Sequence, residues 1–143
     1  MKVKIGFLAV LVVVAITSCG CVNESKPPAL TLASFTTDQD LYHSKDPMVV
    51  TVTLNATGDM QDVYLNISGI INERGKIMVY NETVTNLTAG VNRIIFKERM
   101  PSCNRCSKLS EGTYYLNLTV VYQNTTLINA TTPGASIPVE LRQ

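Results

Sequence analysis

From Leu30 to the end of the chain, apolar residues recur at every second position rather than at helical spacing. Val50, Val52 and Leu54 alternate with Thr51, Thr53 and Asn55, and Val63, Leu65 and Ile67 alternate with Tyr64, Asn66 and Ser68. A period of two sends successive side chains to opposite faces of a strand, so each segment has one face suited to a core and one suited to water. With no amphipathic helix to cover the apolar faces, such segments must pack sheet on sheet.

The remaining segments follow the same rule. Leu30 to Phe35 reads as a first strand, and Asp38 to Pro47 as a turn-rich stretch. Gly58-Asp59 marks a turn, Asn72 to Gly75 a hairpin connection into Lys76 to Tyr80, and Ala89-Gly90 a turn after Val84 and Leu87. Ile94 and Phe96 point inward beyond it. Gly112 opens the clearest strand, with Tyr114, Leu116, Leu118, Val120 and Tyr122 on one face, and a tight turn near Asn124 returns it through Leu127 to Thr131. Ile137, Val139 and Leu141 share a face of the last strand, where Pro138 favours an edge position. Met48, Met60, Met78 and Met100 are scattered and read as packing. About seven to eight short strands predict an all-β, Ig-like β-sandwich over residues 30–143.

The first thirty residues set an address. Lys2 and Lys4 precede an apolar run from Ile5 to Ile16, shorter than the roughly 20 residues a spanning helix needs, so residues 1–18 read as a signal peptide. An uncleaved N-terminal anchor is the alternative. Ile16-Thr17-Ser18-Cys19 resembles the lipobox of prokaryotic lipoproteins. That resemblance implies cleavage before Cys19 and lipidation of its thiol, with Cys21, after Gly20, the less favoured candidate. Residues 19–29 then form a lipidated tether stiffened by Pro27 and Pro28. The expected location is the cell surface, on the outer face of the cytoplasmic membrane. Loss of Lys2 and Lys4 leaves ten basic against eleven acidic residues, which argues against the concentrated basic face of a nucleic-acid binder.

Three stretches carry a family resemblance. Asp38 and Tyr42 stand before Asp46-Pro47 and the Val50-Val52-Leu54 alternation; Leu87-Thr-Ala-Gly-Val-Asn92 follows, then Gly112-Thr-Tyr-Tyr-Leu-Asn-Leu-Thr-Val120. Over roughly residues 30–141 this layout resembles Ig-like domains of archaeal and bacterial surface proteins, CARDB-type domains among them. The resemblance implies a surface-exposed sandwich and carries no catalytic residues. The antibody-type framework is missing, since the chain has no Trp and no cysteine pair placed to bridge two sheets. Tyr114 or Tyr115, just after Gly112, is placed to form a tyrosine corner.

Eight of the eleven asparagines stand in Asn-x-Ser/Thr sequons: Asn23, Asn55, Asn66, Asn81, Asn86, Asn117, Asn124 and Asn129. Thr-rich strands and Asn-rich turns produce some of these by composition alone. Parity favours real modification, because Asn55, Asn66 and Asn117 fall on the polar faces of their strands and a sugar must point into water. Together, sequons and lipobox suggest an archaeal glycoprotein.

Cys103-Asn-Arg-Cys106 lies in a loop before Gly112. The expected reading is a disulfide closing a tight loop in an oxidising exterior. Redox exchange and a zinc site are the competing ones, and zinc lacks four convincing ligands. Lys97, Arg99, Arg105 and Lys108 surround the pair as a possible partner-contact loop, against the plainer reading of a solvated loop. His43 has no readable catalytic company, and Asp38, Asp40 and Asp46 do not have the spacing of a calcium loop. The chain is therefore expected to be a non-enzymatic binding protein without metal or cofactor, acting in adhesion, in the envelope or as an accessory subunit. Its partner is the membrane through the lipid, and a surface protein or polysaccharide through the domain. An Ig-like protease inhibitor using residues 99–111 and a thiol-disulfide redox protein are the alternatives.

Overall fold

A computed structural model describes residues 26–143, so the signal segment, Cys19, Cys21 and Asn23 lie outside the described residues. The described residues form nine strands: β1 (Leu30–Thr37), β2 (Leu41–His43), β3 (Pro47–Ala56), β4 (Met60–Ile71), β5 (Ile77–Leu87), β6 (Gly90–Arg99), β7 (Gly112–Tyr122), β8 (Thr125–Ala130) and β9 (Ile137–Arg142). They build an Ig-like sandwich. One sheet has the order β1-β3-β6; the other runs β2-β9-β7-β4-β5, with β8 also on β7. The described pairings are antiparallel except β2 with β9.

β7 organises the larger sheet. One of its edges pairs with β4, while the other carries β9 along Gly112–Leu116 and β8 along Leu118–Tyr122. The two shorter strands thus lie end to end on one long one. β2 emerges from the stretch expected to be turn: three residues with one inward side chain are too few to display a period. Pro138 pairs with Tyr115, and β2 meets β9 only from Glu140 onward, so β9 is an edge locally at Pro138 and an inner strand beyond it.

The core is the sum of the inward faces. Met48, Val50, Val52 and Leu54 of β3 meet Val63, Leu65 and Ile67 of β4 and Leu116, Leu118 and Val120 of β7 in one buried cluster. Apart from Tyr42, no side chain that carries a hydroxyl, amide or charge is buried among the described residues, so the sheets are held by apolar area, about 1.5–3 kcal/mol per large side chain fully removed from water. Alternation breaks at both ends of β4, at the Gln61-Asp62 bulge and again at Ile70. Ile70 takes a left-handed backbone with φ 51 and is buried, leaving Ile71 exposed. The residue before it, Gly69, lies under β7: a Cβ there would stand 2.1 Å from the Tyr115 carbonyl oxygen.

Two tyrosines pin the sandwich ends. Tyr114 Oη donates to the Ser110 carbonyl at 2.8 Å, the tyrosine-corner arrangement expected at this position. Tyr42, fully buried, donates to Asp38 Oδ1 at 2.6 Å and accepts the Gln39 N–H. Burial first, and the Asp38 carboxylate second, push the Tyr42 hydroxyl up to about 12. Against a desolvation that works upward, hydrogen bonds from Tyr42 and from the Val49 N–H hold the Asp38 carboxyl below its ordinary value.

Two outcomes follow from these contacts. Gly69→Ala should force β4 and β7 apart and cost about 3 kcal/mol, an overpacking penalty, seen as a fall in Tm of roughly 10 °C in a thermal melt. The folded-state pKa of Asp38 lies below its unfolded one, so its stabilisation is present above the carboxylate range and is lost as pH falls through it. Asp38→Asn should lower Tm at neutral pH and flatten the acid-side loss of Tm below about pH 4, measured as Tm against pH for both proteins.

Candidate functional site

The segment between β6 and β7, residues 100–111, closes one end of the sandwich without forming a strand. It is tied at many points to chain distant in sequence. The Met100 N–H donates to the Asp46 carbonyl at 2.8 Å, and the Cys103 N–H to Ser44 Oγ at 2.7 Å. Asn72 Nδ2 donates to the Ser107 carbonyl at 2.8 Å, and the Glu73 N–H to the Lys108 carbonyl at 3.0 Å. Gln143 Nε2 donates to the Cys103 carbonyl at 3.1 Å. Met100, Cys103 and Leu109 enter the core. Within the loop, the Ser107 N–H donates to Asn104 Oδ1 at 2.8 Å while Ser107 Oγ donates to the Ser102 carbonyl.

That turn decides the state of the cysteines. It directs Cys103 inward and Cys106 outward, and the two are separate thiols, one buried and one exposed. The disulfide expected of this pair is not formed in the structure, and hydrogen bonds and core contacts hold the loop instead. Burial, followed by the charge of Glu111, pushes the Cys103 thiol up. A raised thiol is the opposite of what thiol exchange needs.

Beside the loop lies a cleft of about 380 Å³ lined by Glu73, Cys103, Arg105, Lys108, Ser110, Glu111 and Gln143 among others. The four cations expected to act together are divided. Arg105 and Lys108 line the cleft, whereas Lys97 and Arg99 are exposed on β6 and do not line it. Arg99 instead donates to the Lys45 carbonyl at 3.2 Å. The cleft's carboxylates are engaged: Glu73 Oε1 accepts from Ser110 Oγ at 3.1 Å, and Glu111 Oε1 accepts the Gln143 N–H at 2.9 Å. Among the described residues, the ion pairs are His43–Asp46, Arg142–Glu111 and Arg142–Glu140, none of which involves Arg105 or Lys108. The cleft therefore offers two uncommitted cations. Glu73 and Gln143 line it, and Asn72 and Ser44 tie the loop beside it, although nothing in the sequence marks them for the site, since each reaches the loop only through the fold.

The sequons separate by orientation. Asn55, Asn86, Asn124 and Asn129 are exposed, and Asn66 and Asn117 are half-buried on the outward face of the larger sheet. Asn81 is different: it shares the inward parity of Val79 and Leu87, and its Nδ2 donates to Glu98 of the opposite sheet. Asn124, in the tight β7–β8 turn, has φ 61. Asp38 and Asp46 serve as turn acceptors, Asp46 Oδ2 taking the His43 N–H at 2.7 Å. No group of three or more His, Cys, Asp or Glu side chains is gathered in metal-binding geometry among the described residues.

No protein-family model matches the chain, and no curated protein matches it in sequence. Solved structures do share its fold. The C-terminal domain of wzt superposes with a TM-score of 0.57 at 13% identity, over 80% of this chain and 74% of that one. The CARDB domain of the PF1109 protein from Pyrococcus furiosus, solved in complex with di-metal ions, gives 0.54 at 16% identity over 80% and 89%. The Pseudomonas fluorescens alkylpurine DNA glycosylase AlkC gives 0.55 at 14% over 80% of this chain, which spans only 30% of that enzyme. At these identities the likeness concerns the Ig-like fold alone.

If the thiols are separate in solution, Cys106 should react within seconds to minutes with an exposed-thiol reagent in the folded domain spanning residues 26–143, and Cys103 only on unfolding. A denatured sample that titrates neither thiol without prior reduction would overturn that state.

Proposed function

We propose that this chain is an exported, lipid-tethered and glycosylated Ig-like binding protein of a prokaryotic cell surface of archaeal type, which engages an anionic partner through the 100–111 end of its sandwich. The observation that carries the binding part is the pair of uncommitted cations, Arg105 and Lys108, on a cleft whose carboxylates are already hydrogen-bonded. A rigid scaffold presenting an irregular loop is where binding residues concentrate, and the ties from Ser44, Asn72 and Gln143 keep this loop's shape before a partner arrives. The tether rests on the Lys2/Lys4 region, the apolar run and Ile16-Thr17-Ser18-Cys19. A single acyl chain gives only marginal membrane binding and two give a stable anchor. The partner is a surface protein or polysaccharide carrying carboxylate or phosphate groups.

The test uses the full chain in its native host. Cys19→Ala should release the protein from the membrane fraction. Arg105→Ser with Lys108→Ser should leave the protein folded and membrane-bound, yet weaken cosedimentation of the purified domain with delipidated envelope by about tenfold or more, the loss expected for two charge-assisted contacts. Equal cosedimentation of variant and parent would remove the cleft as the contact surface.

A further inference from the structure

The outward face of the larger sheet repeats one pattern on two hydrogen-bonded strands. β4 carries Tyr64-Leu-Asn66-Ile-Ser68 and β7 carries Tyr115-Leu-Asn117-Leu-Thr119. Leu65, Ile67, Leu116 and Leu118 are fully buried, so the tyrosine, the asparagine and the hydroxyl residue of each motif all face outward. The same spacing recurs on the flanking strands, where Val84 stands two residues before Asn86 and Leu127 two before Asn129. Tyr115, Val84 and Leu127 are 53%, 59% and 37% exposed, which is unusual for large apolar side chains that share one face. On the smaller sheet the i, i+2 spacing is absent: Thr53, not an apolar residue, precedes Asn55, and the exposed Val91 stands across the strand pair from Asn55 rather than two residues before it.

We propose that N-linked sugars on Asn66 and Asn117 pack on Tyr64 and Tyr115, and so cover the apolar part of this face. The inference rests on the glycosylation reading above. Residues two apart on one strand face are about 6.8 Å apart, so the first sugar on Asn117 lies over the neighbouring ring. A pyranose has a C–H face that removes a tyrosine ring from water and a hydroxyl rim that stays hydrated. Attachment joins Nδ2 to the anomeric carbon of a sugar from an activated glycosyl phosphate donor; the amide loses one proton and the phosphate leaves.

The amides are compatible with this. Asn66 Nδ2 donates one hydrogen bond, to the Asn81 carbonyl at 3.1 Å, and a substituted amide keeps one N–H. Tyr64 is already oriented, because its hydroxyl and that of Tyr80 both donate to Glu82 Oε2 at 2.6 Å. Tyr115 and Asn117 together separate two shallow depressions of about 190 and 170 Å³ that flank them.

The experiment uses the full chain made in its native host, with glycopeptide mapping and a double-mutant cycle read by Tm. Mapping should find sugar on Asn66 and Asn117 and none on Asn81. Tyr115→Ser should lower Tm by roughly 3 °C in the glycosylated protein, Tyr115→Phe should keep the parent value, and Tyr115→Ser should change Tm by less than about 1 °C in an Asn117→Gln background. Bare Asn66 and Asn117 would overturn the glycosylation reading and this proposal with it. Occupied sites with an equal Tyr115→Ser loss in both backgrounds would overturn the packing while leaving glycosylation in place.

Discussion

Apart from Tyr42 at one end, the core of this sandwich buries no side chain with a hydroxyl, amide or charge among the described residues, and the rest of the structure depends on that. With only apolar area joining the sheets, each strand's register is fixed by which of its two faces is greasy. Slipping β3 by one residue would turn Val50, Val52 and Leu54 to water and bring Thr51, Thr53 and Asn55 inside. The hydroxyl and amide groups would then need partners that the core does not contain. The same separation frees the outer faces to carry asparagines, threonines and tyrosines, and leaves the strand ends to the loops.

Where a strand is long and strictly alternating, its sequence already shows its place. The inward sets of β3, β4 and β7 are legible for that reason, and so is the tyrosine corner at Tyr114, a local contact four residues long. β2 is not legible, because Tyr42 is its one inward residue and its partner β9 lies at the other end of the chain. Ile70 is not legible either: alternation places Ile71 inside, and a left-handed backbone at Ile70 reverses the two. Asn81 shows the same limit for sites. A sequon is a local pattern, but Glu98, which receives its amide, belongs to the opposite sheet.

The loop at 100–111 shows why local spacing misleads about chemistry. Cys103 and Cys106 are close enough in sequence to suggest a bridge, yet the turn is governed by Asn104 and Ser107, and Cys103 is drawn in with Met100 and Leu109. The cleft's character also comes from distant residues. Glu73 arrives on the β4–β5 hairpin and Gln143 from beyond β9, and by engaging Ser110 and Glu111 they leave Arg105 and Lys108 as its uncommitted charges. A sandwich shared with wzt and CARDB domains and with AlkC supplies none of this, since a common frame does not carry a site with it.

Edge strands give the scattered charges and sequons a common physical context. An unpaired edge is a template for another chain unless something obstructs it. On β6, an edge of the smaller sheet, Arg93, Lys97 and Arg99 alternate outward, which accounts for Lys97 and Arg99 without invoking a partner. β5 is eleven residues long and paired only with β4, and its interior holds neither proline nor lysine. β8 likewise lacks both. These are the strands that carry Asn86 and Asn129, each outward and each two residues after an exposed apolar side chain. On the reading proposed above, sugars at those positions obstruct the β5 and β8 edges of the larger sheet, so covering its apolar face and keeping that sheet from recruiting further strands become one device.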